Sequence, residues 1–286
     1  MLVPTMTPEE IYREIYSDVN WLQEQILRLF PGVEREIKRS KQFPLLTARI
    51  INSPKTKIEY NLAFFAYQKS DWDKHHFIIY TTYTHEGGRT LVYIDNKKFA
   101  IRIYTPHFMQ RYKEREADYI NKHSHMAKHG IEHFFILRNW EVVEMTRIKT
   151  IIQETRETDP ELAETLEYRM TKSKFEQDSN YERYSVACMH GMCLCERSKD
   201  KNIDLSIYNT FVATEQLIEE QFVDFVYAYG EVVLTSICRK YSRQRGMIAK
   251  EWNTELNNIP DGKSQYECMA EKIKELCTRY PIPAYF

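Results

Sequence analysis

Glycine is scarce in this chain, with 8 in 286 residues, and only Gly87 and Gly88 stand side by side. That scarcity leaves no room for the usual phosphate-cradling loops. Neither G-x-x-x-x-G-K-[ST] nor G-x-G-x-x-G occurs, and no G-x-S-x-G turn presents a serine nucleophile. Kinases, Rossmann dehydrogenases and ordinary hydrolases are therefore poor readings. Long apolar runs are also missing: none approaches the ~18 residues of a membrane helix. The opening segment MLVPTMTPEEIYREIY turns acidic before an apolar signal core forms, so the expectation is a cytoplasmic protein with no membrane partner. Charge of one sign is lacking as well. Forty basic and 41 acidic residues leave a net charge of −1, so no global field attracts nucleic acid and any phosphate-binding surface must be local. Six cysteines are too few and too scattered for a disulfide framework in a chain this long, and reduced thiols are expected.

What is present is the composition of a packed protein, 43% hydrophobic and 13% aromatic with 20 tyrosines. Thr7 as cap and Pro8 in the first turn open an amphipathic helix whose Ile11, Ile15, Val19, Leu22, Ile26 and Leu29 share one face, ending near Pro31-Gly32. A short charged helix, VEREIKRSK, follows. From Leu45 to Tyr104 the pattern turns to alternating, β-branched runs separated by Asn52-Ser53-Pro54, Glu86-Gly87-Gly88 and Asp95-Asn96, which predicts an antiparallel meander. Residues 106–175 read as helical, with Asp159-Pro160 starting one helix. Strands return at RYSVACMHGMCLCER and IDLSIYNTFVA, Thr214 caps a long helix, and a last helix covers 262–279. The fold class expected is α+β: a central antiparallel β-sheet with an N-terminal helical arm over 1–42, and an α+β domain over 43–286 that carries a helical insertion at about 116–175 and C-terminal helices packed on the sheet.

The segment IYTPHFMQRYKER, residues 103–115, carries most of the functional argument. Thr105 caps and Pro106 starts a helix, which places His107 among free backbone N–H groups that favour anions and a neutral imidazole. His107, Arg111 and Arg115 recur every fourth residue and so share a stripe about 80° wide, bordering the apolar Phe108, Met109 and Tyr112. Arginine offers a donor fork to phosphate oxygens, and histidine moves protons near neutral pH. RNA cleavage at a 2′-hydroxyl needs proton transfer and phosphorane stabilisation but no metal. The bland alternative is a capped helix with solvated arginines, paired with Glu114 or Glu116.

The HFMQRYKER helix, with the later strand through Asn209-Thr210-Phe211, resembles the pattern of the barnase, colicin and RelE-like ribonuclease group. There a helix bearing H-x-x-x-R-x-x-x-R accompanies an antiparallel sheet whose last strand carries a polar residue or threonine. The resemblance implies His107 as general acid or base, Arg111 and Arg115 on the phosphate, and Thr210 at the last strand. Tyr184 or Tyr208 would line the cleft beside Thr210. Residues 95–115 also hold six basic against two acidic side chains, and nearby rings such as Tyr104 and Tyr112 could stack on bases.

Other clusters argue less. His125, His129 and His133 would stack if 121–135 were one helix, but Gly130 interrupts it and no H-E-x-x-H is formed. Cys188, His190, Cys193 and Cys195 lack zinc-knuckle spacing and read as a hairpin with buried thiols. No metal and no cofactor are expected. The functional expectation is a metal-independent RNA-binding or RNA-cleaving protein with RNA as partner. The alternative is a non-catalytic interaction module whose helices at 214–245 and 262–279 bind a partner protein or a second copy.

Overall fold

The structure, a computed structural model, describes the chain except residues 86, 96–98, 125–129, 146–155, 158–159, 162–163, 165–179, 218, 257–264 and 283–286. The protein is α+β, with strands paired mostly antiparallel. Its described contacts form two compact units, residues 1–140 with 200–211 and residues 141–199 with 212–283.

In the first unit, helices α1 (Pro8–Tyr16) and α2 (Val19–Arg39) precede strands β1 (Leu45–Asn52), β2 (Glu59–Ala66), β3 (His76–His85), β4 (Gly88–Asp95) and β5 (Ala100–Tyr104). These five strands pair in sequence as the expected antiparallel meander. Beyond β5 lies β9 (Leu205–Ala213), which pairs with it parallel, Ile101 opposite Leu205 and Tyr104 opposite Tyr208. The central antiparallel sheet expected from the sequence is thus present, with this one parallel pairing among the described strands. The connection between β5 and β9 is about a hundred residues long, so the return strand is free to run parallel, which a short hairpin forbids.

The predicted single helix up to Pro31 is two helices, and the second runs through Pro31. The break falls at Ser17 and Asp18, where the Asp18 carboxylate is held by hydroxyls of Ser53, Thr56 and Tyr60. Pro31 lies on the exposed side of the helix, as does Leu27, whose carbonyl loses its helical donor. Both helices lie on one sheet face. Ile11, Ile15, Leu22, Ile26, Val33 and Ile37 form one core with Leu62, Phe64, Ile79, Val92, Ile101 and Ile103. What the sequence presented as an arm is thus one wall of the unit.

The opposite face, by strand alternation, carries Tyr80, Tyr93, Tyr104 and Tyr208. It is covered by α3 (Pro106–Arg115) and α5 (Ile131–Asn139), with the short α4 (Ala117–Lys122) between them in the chain. Phe108, Tyr112, Phe135 and Phe211 meet Tyr104 and Tyr208 there in a network of edge-to-face and tilted rings.

The second unit contains β6 (Val143–Glu144), β7 (Tyr181–Cys188) and β8 (Gly191–Ser198), in the order β8-β7-β6, and helices α6 (Glu219–Lys240), α7 (Arg245–Leu256) and α8 (Gln265–Arg279). The hairpin expected at RYSVACMHGMCLCER is present as β7 and β8. The helical faces fill one another, with Val226, Val233 and Ile237 packed on Ile248, Trp252, Met269, Ile273 and Leu276. The helix expected at 160–172 falls almost wholly outside the described residues.

Candidate functional site

Helix α3 begins as its sequence dictates. Thr105 Oγ1 accepts from the Phe108 amide at 3.1 Å, Pro106 occupies the first turn, and the Thr105 amide donates to the Tyr208 carbonyl at 3.1 Å. Burial of Phe108, Met109 and Tyr112 fixes the helix about its axis. His107 is left exposed at the second helical position.

His107 lines an open cleft of ≈ 440 Å³. Its apolar wall is Met6, Pro8, Ile11, Tyr83, Ile103, Pro106 and Ile207, and its polar groups are Thr90, Thr105, His107 and Gln110. The cleft sits at the sheet end where Tyr83 pairs with Thr90 and Ile103 with Ile207. Two helices begin at it, both with Thr-Pro. At α1, Thr7 and Glu10 cap each other, the Thr7 amide donating to Glu10 Oε2 at 2.8 Å. Both helix starts bring positive dipole ends to one space. Burial pushes the Tyr83 phenol above its ordinary range, against a hydrogen bond with Thr90, so the ring presents a neutral hydroxyl.

The two arginines of the stripe do not line the cleft. Arg111 is exposed and pairs with Glu114 at 3.1 Å, and Glu114 also accepts from Gln110 at 2.9 Å. Arg115 donates to the Phe211 carbonyl, which anchors the last turn of α3 to β9; burial, then the neighbouring Arg111, lowers its pKa. Thr210 is half-buried on β9 and is not a lining residue.

The tyrosines expected to stack on bases (Tyr104, Tyr112) or to line the cleft (Tyr184, Tyr208) are placed elsewhere by the structure. Tyr104, Tyr112 and Tyr208 are 0%, 0% and 1% exposed, their ring faces spent on the aromatic core. Tyr184 belongs to the second unit, where the Arg197 guanidinium lies 4.4 Å over its ring and pairs with Glu144 at 2.8 Å. The lining residues that sequence reasoning missed are Met6, Ile11, Tyr83, Thr90, Ile103 and Ile207. Their only local signal was the repeated Thr-Pro start at residues 7 and 105 and the odd-even alternation of β3.

A second polar group lies in the same unit. His133 and Glu132, in the first turn of α5, are 6% and 8% exposed, and the His133 imidazole pairs with the Tyr80 hydroxyl. Arg89 reaches Glu132 at 4.0 Å and donates to Thr82 at 3.1 Å. Desolvation, then the Glu132 charge, pushes the Tyr80 phenol up; buried and paired with one another, these groups form an interior network rather than an open site. His125 and His129 lie outside the described residues. Among the described residues no cluster of three His, Cys, Asp or Glu side chains is arranged to hold a metal, and no helix is long and apolar enough to cross a membrane. Neither a protein-family model, a curated protein nor a solved structure matches this chain.

Proposed function

We propose that this chain is a cytoplasmic binding protein for phosphorylated nucleosides, either free or at the end of an RNA strand, with the cleft between α1 and α3 as its site. The observation that carries this reading is the placement of His107 and Gln110 on a largely apolar cleft framed by two helix starts. Its volume falls in the ~300–1,000 Å³ range of small-molecule pockets. A flat apolar base suits the Tyr83, Ile103 and Ile207 wall, and a phosphate suits the His107 end, where the helix dipole and free amide favour negative charge.

Calorimetric titration with 5′- and 3′-mononucleotides, inorganic phosphate and a phosphorylated single-stranded RNA hexamer tests it. Wild type binds a mononucleotide more tightly than phosphate alone, and His107→Ala weakens that binding about tenfold, or ~1.4 kcal/mol. Equal affinity for hexamer and mononucleotide identifies the free ligand as the target; a hexamer preference identifies RNA. No heat with any of them refutes the reading.

Cleavage is a second reading favoured by one observation. Arg111 is exposed one turn beyond His107, and its partner Glu114 is a surface pair worth only ~0–1 kcal/mol, so the guanidinium is easily released toward a phosphate. Incubating the hexamer with the protein in a chelator tests this. Products that disappear in both His107→Ala and Arg111→Ala establish cleavage, and intact RNA rejects it.

A further inference from the structure

We propose that Cys188 and Cys193 form an oxidation-responsive dithiol at the end of the β7–β8 hairpin, closing to an intrachain disulfide with a peroxide as oxidant. Cys188 is the last residue of β7 and pairs with Gly191, while Cys193 pairs with Val186, so the two cysteines lie diagonally on one face of the hairpin, with the Ala187–Met192 rung between theirs. Strand pairing brings their sulfurs to 3.7 Å, in van der Waals contact. The Cys188 thiol donates to the Gly191 carbonyl at 3.2 Å, and the Cys193 thiol donates to the Cys188 sulfur. A diagonal pair of this kind closes to bonding distance only with backbone movement at the last rungs, and a hairpin end is the place where such local opening costs least.

Cys188, at the very end of its strand, takes the first step, and Cys193, two rungs in, resolves it. Cys188 attacks the peroxide, the O–O bond breaks, and the sulfur is oxidised to a sulfenic acid as one water leaves. Cys193 then attacks that sulfur, the S–S bond forms, and a second water departs carrying the remaining thiol proton. Two thiols and one hydrogen peroxide give one disulfide and two waters. The third hairpin thiol, Cys195, lies out of line, pointing at its own strand's Cys193 carbonyl at 3.5 Å. What sets Cys188 and Cys193 apart from Cys238 and Cys277 is the contact between their sulfurs, not their exposure.

Both sulfurs are fully buried, which tunes the site to a small oxidant and against bulky disulfides. The test treats the whole chain with stoichiometric hydrogen peroxide or with oxidised glutathione, then blocks free thiols under denaturing conditions and maps the cysteine peptides by mass spectrometry. Peroxide is expected to give one peptide lighter by two hydrogens and unblocked at Cys188 and Cys193. It should form about tenfold faster than Cys238 or Cys277 is lost, and dithiothreitol should reverse it. In Cys193→Ala, dimedone should trap the sulfenic acid at Cys188; in Cys188→Ala, no comparable trapping should occur at Cys193. The wild-type map stands even if either variant fails to fold. Both thiols still blocked after other cysteines have oxidised, a bridge to Cys195 instead, or glutathione disulfide working as fast as peroxide would each overturn the proposal.

Discussion

Asp18 is 1% exposed, and three hydroxyls converge on its carboxylate: Ser53 at 2.7 Å, Tyr60 at 2.9 Å and Thr56. These bonds tie the α1–α2 junction to the β1–β2 connection, and so hold the helix whose first turn frames the cleft. A hydrogen bond to a charged group contributes ~1.5–3 kcal/mol, and removing the acceptor leaves three buried donors without it. Such contributions do not add, so Asp18→Ala is expected to lose about 3–5 kcal/mol, the range for breaking a buried charged network. Asp18→Asn keeps one oxygen acceptor and lets the hydroxyls rotate, and should lose about 1–3 kcal/mol. Urea denaturation gives the loss, and hydrogen exchange of peptides from residues 8–39 and 45–66 locates it. A loss under ~1 kcal/mol in the alanine variant, or faster exchange confined to other segments, would show that the carboxylate does not brace this junction.

Stability should also fall at high pH. Tyr60 and Tyr80 are raised above the ordinary tyrosine value, in each case chiefly by desolvation, with the Asp18 hydrogen bond and the Glu132 charge adding to it. A raised folded pKa favours the neutral form, so the contribution is complete below about pH 10, where unfolded tyrosine titrates, and is lost as pH rises above it. An absorbance titration in which all 20 tyrosines ionise near the unfolded value without unfolding would contradict this. In the second unit, a Cβ at Gly230 would stand 3.0 Å from Trp252 Cη2 and 3.1 Å from Met269 Sδ. Gly230→Ala gains up to ~1 kcal/mol of helix propensity but overpacks a contact at a typical cost of ~1–3 kcal/mol, so a net loss of about 1 kcal/mol is expected. A rise in melting temperature would refute that sign.

The meander was legible because its signal is local: alternation sets the faces and turn residues set the ends. The α3 cap was legible for the same reason, since Thr105 and Pro106 act within one turn. The helix break at Asp18 was not, because it depends on Ser53, Thr56 and Tyr60, which arrive from far along the chain. The parallel pairing of β9 is likewise a long-range choice. Tyr104 and Tyr112 were read as base-stacking faces because a tyrosine beside basic residues looks the same in sequence whether its ring points inward or outward. The cleft's apolar wall was hidden more deeply: Met6, Tyr83 and Ile207 become neighbours only when α1 and β9 are both seated on the sheet.

The same packing explains why the histidine and the arginines separate. Helical periodicity gives His107, Arg111 and Arg115 one stripe, but each step of four residues also advances ~6 Å along the axis. The cleft lies at the sheet end where α3 begins, so only the first turn borders it, and successive stripe members move off along the sheet. By Arg115 the stripe has reached the Phe211 carbonyl of β9, where a guanidinium closes a backbone contact. Arg111 stands between these two fates, held off by Glu114. Glu114→Gln therefore discriminates: if the site extends along the helix, as a strand of RNA requires, releasing Arg111 should tighten hexamer binding severalfold while leaving mononucleotide binding unchanged. Equal responses of both ligands would confine the site to the first turn and leave the stripe a product of helical spacing alone.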